Sequence, residues 1–308
     1  MAWLAALLLV TAGWLWTPDL AQDDLEARYA RGPGDFVQVD GLRLHLRDSG
    51  PRDAPAVILL HGFGASLHTW EPWAQALSPH YRVIRYDLPG SGLTGPDPGA
   101  DYSDTRNLHV LLSLMDHLGL QRATLVGHSM GGRLAWRMAA ANPQRVAGLV
   151  LVAPDGFASP GFEYGKPPEV PAVLQLMRVV LPRALLRMNL APAYAKPELL
   201  SDDTVARYHD LLRAPGARQA MLQRMGQIVL HDPAPLLAHI QAPTLLMWGE
   251  LDAMIPVANA QDYLRALPAV TGARLVSLPG VGHLPQEEAP AAGLPALLAF
   301  LQSLPTAP

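Results

Sequence analysis

The 308-residue chain contains no cysteine, which excludes disulfide frameworks, zinc–thiolate sites and thiol nucleophiles at once. Charge is also scarce, at 16% of residues, and nearly balanced: 23 Lys+Arg stand against 27 Asp+Glu, for a net charge of −4. That balance gives no electrostatic reason to expect a nucleic-acid or polybasic partner. Lysine is almost missing, represented only by Lys166 and Lys196, a bias that reads as genomic composition. What remains is globular in character. Half of the residues are hydrophobic, and the length suits one large α/β domain or two smaller ones with a sizeable core. Thirty prolines spread along the chain point to many short loops.

Residues 1–16 read M-A-W-L-A-A-L-L-L-V-T-A-G-W-L-W, with no charged side chain, and stop at Thr17-Pro18-Asp19. The run has no amphipathic face. Trp3, Trp14 and Trp16 stand near its ends, where indoles favour a membrane–water interface. It falls short of the roughly 20 residues that span a bilayer comfortably, and it lacks the basic n-region and A-x-A site of a secretory signal. Residues 1–22 are therefore set apart as a hydrophobic segment with three open readings: a retained anchor, a cleaved signal, or an apolar helix packed on the protein's own surface. Asp19, Asp23, Asp24 and Glu26 precede the first arginine, Arg28, so the positive-inside rule does not hold the body in the cytoplasm. A membrane-anchored or exported protein is expected, with a cytoplasmic one left open. Membrane association would run through residues 1–16.

In the body, the alternating runs Phe36-Val37-Gln38-Val39 and Leu42-Arg43-Leu44-His45-Leu46 flank Asp40-Gly41, the strongest short hairpin signal. Continuous apolar runs then follow at 57–60, 83–86, 124–126, 149–152, 244–248 and 274–278, most of them leading into helical periodicity. Strands buried on both faces and alternating with helices indicate a parallel sheet covered on both sides. Leu108, Leu111, Leu112, Met115 and Leu118 mark one such helix, closed by Gly119, and Leu294, Leu297, Leu298 and Leu301 mark another expected to start near Pro285. Residues 155–235 break the alternation, with proline-cut helical stretches at 173–188 and 204–212 and no convincing strand. This interval is expected to form a helical lid over the carboxyl ends of the strands, where open α/β sheets bind ligands. The core would comprise residues 23–154 and 236–308.

The chemistry centres on Gly127-His128-Ser129-Met130-Gly131-Gly132, placed between a strand and a helix. A G-x-S-x-G pattern is weak alone, but a strand entering a sharp turn from which a helix leaves would lift the serine hydroxyl clear of the sheet. A serine needs a base, and the base needs an acid to orient it. Strand 244–248 ends in Gly249-Glu250-Leu251-Asp252, and strand 274–278 ends in Pro279-Gly280-Val281-Gly282-His283. Asp252 and His283 would thus reach the same sheet edge as Ser129, with Glu250 and Asp155 as rival acids. Leu60-His61-Gly62-Phe63-Gly64 offers a Gly-rich turn that can aim the Phe63 N–H at an oxyanion, with Met130 N–H as the second donor. His61 reads as a structural hydrogen-bonder, and Asp87-Leu88-Pro89-Gly90-Ser91-Gly92 as loop architecture.

With these motifs in order across most of the body, H-G-F-G, D-L-P-G-S-G, G-H-S-M-G-G, W-G-E-L-D and G-H-L-P-Q-E-E, the sequence resembles the α/β-hydrolase fold family. The likeness is to its capped serine hydrolases of the esterase, haloperoxidase-like and carbon–carbon hydrolase branches. The resemblance implies a mostly parallel eight-stranded sheet with helices on both faces and a lid, a Ser129, Asp252, His283 triad, and hydrolysis with no metal or organic cofactor. It argues against epoxide hydrolases and haloalkane dehalogenases, which place aspartate at the nucleophile position. Carbon–carbon hydrolases of this kind usually carry Asn before the nucleophile and Trp after the catalytic histidine, where this chain has His128 and Leu284. Their lid arginine is matched by Arg207, read here as an exposed helix residue. The expected function is cleavage of a small-molecule carboxylic ester, with Met177, Val179, Val180, Leu181, Leu185 and Leu186 as candidate walls of an apolar acyl pocket. Carbon–carbon hydrolysis, perhydrolysis and a non-catalytic receptor are the alternatives. Natural substrate and oligomeric state stay open.

Overall fold

In the computed structural model, which describes residues 16–158 and 163–305, all the strand signals mature into one sheet. Its strands are β1 (Phe36–Val39), β2 (Leu42–Ser49), β3 (Ala56–Leu60), β4 (Arg82–Tyr86), β5 (Ala123–His128), β6 (Val146–Val152), β7 (Thr244–Gly249) and β8 (Arg274–Leu278). The order is β1-β2-β4-β3-β5-β6-β7-β8. β1, β2 and β4 pair antiparallel, and every other neighbour is parallel. Asp40 and Gly41 take φ of 52° and 77°, the left-handed pair that a two-residue hairpin turn demands.

The continuous apolar runs have a simple cause. In β3, Ile58 and Leu60 enter one core with Leu125, Leu134, Trp136 and Trp248, while Val57 and Leu59 enter a second with Trp70, Trp73, Val126 and Met247. Successive side chains point to opposite faces, so a strand covered on both faces must be apolar throughout. Helix Asp104–His117 follows its expected periodicity. Ser103 accepts the Arg106 N–H at its start, and Gly119 takes φ of 70° just past its end.

Prolines redraw two expected helices. The stretch 173–188 is not one helix: a 3₁₀ turn, Ala172–Arg178, is separated from helix Arg183–Leu190 by an extended link ending at Pro182. The helix expected from Pro285 is also two, Pro285–Glu288 and Pro290–Ser303, with Ala289 at φ −146°, ψ 57° between them. Proline removes a backbone donor and pushes its predecessor out of helical conformation. Gln22–Tyr29 in the polar stretch and Ala217–Gln227 in the insertion are helices that carried no recognised signal.

The interval between β6 and β7 is helical, with Arg183–Leu190, Asp202–Leu212 and Ala217–Gln227 as its main elements. Most of the apolar N-terminal run, residues 1–15, lies outside the described residues. Trp16 is described and exposed, and it forms an isolated bridge with Val180. Thr17 N–H donates to Val179 O at 2.8 Å, and Arg218 donates to Thr17 O at 2.7 Å. No helix among the described residues is long and apolar enough to cross a membrane.

Candidate active site

Ser129 sits between β5 and helix Met130–Ala141 at φ 52°, ψ −119°, a strained conformation for a residue with a side chain. Its backbone is tied on both sides: the N–H donates to Val152 O, and the carbonyl accepts from Arg133 N and Asp155 N, each at 3.0 Å. The neighbouring glycines are required by space. A Cβ on Gly131 would lie 2.2 Å from Leu60 O, and one on Gly127 would lie 2.3 Å from Gly131 O. The turn can be sharp because three chain segments meet there without side chains between them.

Asp252 and His283 are brought together as the sequence suggests. Imidazole Nδ1 lies 2.8 Å from Asp252 Oδ2, with both residues buried. The other carboxylate oxygen accepts N–H groups from Met254 and Ile255 at 2.8 Å each, so Asp252 is held from three directions. A carboxylate partner makes Nδ1 the donor and leaves Nε2 with the lone pair. The two loops are stitched by Leu251 N–H to Val281 O at 2.9 Å, and a Cβ on Gly249 would lie 2.1 Å from Gly282 O. Neither rival acid takes this place. The Asp155 carboxylate is paired with Arg133 at 2.5 Å, and Glu250 is exposed.

Ser129 and His283 are linked through His128. His128 Nε2 donates to the His283 carbonyl at 2.7 Å, and the two rings lie 4.6 Å apart. Among the described residues, the Ser129 hydroxyl makes no hydrogen bond to His283; in unliganded sites that bond is often long and tightens with substrate. On the other side, a Cβ on Gly62 would lie 3.2 Å from Ser129 Cβ. The H-G-F-G turn therefore lies against Ser129, and the amides of Phe63 and Met130 donate to no backbone carbonyl among the described residues.

His61 is a clamp. Its Nδ1 donates to Gly62 O at 2.8 Å, and its Nε2 accepts the Leu88 N–H at 3.0 Å. Burial pulls the pKa of both His61 and His128 below the usual value, so each is neutral near pH 7. Asp87 is a hub of the loop architecture, accepting from His45 Nδ1, Leu67 N–H and Leu93 N–H at 2.7–2.8 Å. Among the described residues, no cluster of three or more His, Asp or Glu side chains is arranged to hold a metal ion.

A cleft open to solvent lies between the Phe63-Gly64 turn, the Gly90-Ser91-Gly92 loop and the insertion. Its insertion-side wall is Tyr208, Leu211, Leu212 and Met221, none of them among the expected pocket residues. Leu181 and Leu186 instead pack with Ala65, Tyr208 and Leu212 in a small core behind that wall, and Leu185 is exposed. Arg207 departs from its expected surface position. It is only 22% exposed, pairs with Glu287, and lines the cleft. Arg224, also on the cleft, was not singled out because helix Ala217–Gln227 lacks a clear apolar stripe.

Comparison with known proteins agrees with this architecture. A family model described as alpha/beta hydrolase fold matches residues 55–290. The dihydrolipoyllysine-residue acetyltransferase component of an acetoin cleaving system from Pseudomonas putida is 32% identical over 90% of this chain and 71% of its own length. A 2-hydroxy-6-oxononadienedioate/2-hydroxy-6-oxononatrienedioate hydrolase from Cupriavidus pinatubonensis is 31% identical over 87% of this chain and 94% of its own. Among solved structures, a membrane phospholipase A described as a bacterial virulence factor superposes with a TM-score of 0.75 at 27% identity, covering 97% of this chain and 96% of that one.

Proposed function

This chain belongs to the α/β-hydrolase fold family, and from that premise we propose that it is a serine hydrolase that cleaves carboxylic esters through an acyl-enzyme on Ser129. The observation that carries the reading is the Asp252–His283 pair, which leaves imidazole Nε2 as a proton acceptor one loop away from a serine held at φ 52°. In the proposed cycle His283 takes the Ser129 proton as Oγ attacks the ester carbonyl. The Phe63 and Met130 amides receive the oxyanion, and collapse expels the alcohol, which takes the proton from His283. Water, deprotonated by the same imidazole, then attacks the acyl-enzyme and releases the acid. No metal or organic cofactor enters these steps.

Carbon–carbon bond hydrolysis is the second reading, supported by the relative named for that activity. Three features favour the ester instead. His128 and Leu284 replace the residues usual in that branch, and Arg207 is occupied by Glu287. The test is hydrolysis of short-chain aryl esters by the full chain beside Ser129→Ala, together with a serine-directed phosphonate label. Turnover lost by at least about 10³-fold in the variant, with the label on Ser129, is the expected result. Turnover that survives the substitution would sink the mechanism. A folded protein that takes no label and cleaves no ester would instead favour a receptor-like use of the fold.

Residues 1–16 are proposed to associate with a membrane. Thr17, Pro18 and Asp19, which follow that run in sequence, are bound to Arg218 and Arg213 of the insertion. Val173 and Leu176, just upstream of the Trp16 bridge partner, are more than half exposed there. Retention of the full chain in a membrane fraction, and its release on deletion of residues 1–15, would test this placement.

A further inference from the structure

Six arginines are buried among the described residues, and five of them hold carboxylates. Arg47 and Arg85 pair with Glu71, Arg82 with Asp48, Arg133 with Asp104 and Asp155, and Arg218 with Asp19. Arg224 is the exception. It is 3% exposed and has no carboxylate within 4.0 Å among the described residues. Its guanidinium donates to Pro89 O, approaches Met130 Sδ at 3.7 Å and lies over the Tyr102 ring at 5.2 Å. A buried cation is costly without a counter-charge, and burial pulls this one down to about 10, which still leaves it charged at neutral pH.

Its position gives that charge a use. Helix Ala217–Gln227 packs directly onto both loops of the cleft: a Cβ on Gly90 would lie 2.7 Å from Ala220 Cβ, and one on Gly64 would lie 3.0 Å from Met221 Cε. Arg224 follows these contacts by one helical turn, so it shares their face and lines the same cleft. Through Met130 it touches the residue next to Ser129. Arg207, the other arginine of the cleft, already has Glu287 as its partner.

We infer that Arg224 is an anion subsite of this cleft, taking a carboxylate or phosphate that the substrate carries away from its scissile ester. The enzyme therefore prefers esters with a negative charge over neutral esters of equal length. This rests on the ester-hydrolase reading and names the substrate class within it. Guanidinium is suited to the task because it presents paired N–H donors to two oxygens at once.

Matched substrates test it in two arms. The carboxylate arm compares mono-4-nitrophenyl adipate with its methyl-capped form, and the phosphate arm compares 1-oleoyl lysophosphatidate with 1-oleoylglycerol. The wild-type chain is expected to favour the anion in at least one arm. Arg224→Gln should lower the anion-to-neutral ratio of kcat/KM by about tenfold or more, mostly through KM, equivalent to about 1.4 kcal/mol. Arg224→Lys should restore part of it. The arm with the larger loss names the group. A ratio unchanged by Arg224→Gln in both arms overturns the proposal, even if both rates fall together, because that is what loss of a purely structural tie to Pro89 and Tyr102 would do. If the glutamine variant does not fold, inhibition of the wild type decides: monomethyl adipate should compete at least about tenfold better than dimethyl adipate, or 1-oleoyl lysophosphatidate than 1-oleoylglycerol, and a smaller difference in both pairs overturns the subsite. If the wild type cleaves no ester, the hydrolase reading fails separately. Calorimetric binding of the same two adipates to the intact chain then tests Arg224, with the same tenfold difference expected.

Discussion

The sheet edge and the insertion above it are held in place by different means. At the edge, position is set by close approach of backbones: Gly127, Gly131 and Gly249 leave no room for a methyl group, and the loops after β7 and β8 are joined by main-chain hydrogen bonds. Asp252 is held by two amides and an imidazole rather than by a flexible cation. The insertion has a main-chain tie to this edge, His283 N–H to Ala193 O at 2.8 Å, and adds side-chain ties: Arg207 to Glu287, Arg218 to Asp19 and Arg224 to Pro89. Shape tolerates little change, whereas ionic ties can be lost one at a time. On the proposed reading, a site that must hold three groups in register would use the first, and a cover that must admit substrate would use the second.

The largest effect should come from Asp252→Asn. The amide keeps the size and the two N–H contacts but can no longer accept the Nδ1 proton in the required tautomer. Ester turnover should fall by about 10³–10⁴-fold, with little change in thermal stability. A drop below tenfold would show that orientation of the base does not depend on this carboxylate. Gly131→Ala is next. Its added methyl would meet Leu60 O and His61 O, so a loss of about 3 kcal/mol in chemical denaturation is expected. A cost under about 1 kcal/mol would mean that the edge yields as the insertion does, and the contrast would fail.

What could be read from the sequence follows the same division. Buried parallel strands announce themselves because both faces are apolar, and the residues at their ends are placed by the topology. Asp252 and His283 were therefore legible as candidates from strand ends, with Glu250 and Asp155 as rivals, and the hydrogen bond from His283 to Asp252 is what separates the three acids. The insertion was not legible in the same way. Its prolines mark breaks without saying which side continues, and Pro182 and Pro290 each split an expected helix. The cleft wall was missed because Tyr208, Leu211 and Leu212 share a helix with charged residues, and nothing local shows which face meets the core. Arg207 looked like a surface residue for the same reason: its partner, Glu287, lies 80 residues away.

The smallest effect tests the insertion's fastening. Glu287 takes Arg207 and the Tyr208 hydroxyl from the insertion, the latter at 2.9 Å, and the Thr69 hydroxyl from the core at 3.2 Å. Glu287→Gln keeps an acceptor for one of these and leaves Arg207 without its counter-charge. Removing one member of a fully buried pair costs about 3–5 kcal/mol. Arg207 is 22% exposed, so water recovers part of that cost, and about 2 kcal/mol is expected. The loss should appear as earlier proteolytic cutting within residues 163–235 before the core unfolds, because the glycine contacts at the edge remain intact. A cost near zero, with no change in cleavage, would mean that apolar packing around Leu186, Tyr208 and Leu212 holds the cover and that the ion pair is incidental. A cost equal to that of Gly131→Ala, with core and insertion opening together, would show that the two regions are a single cooperative unit, in which ionic ties and close backbone packing are equally indispensable.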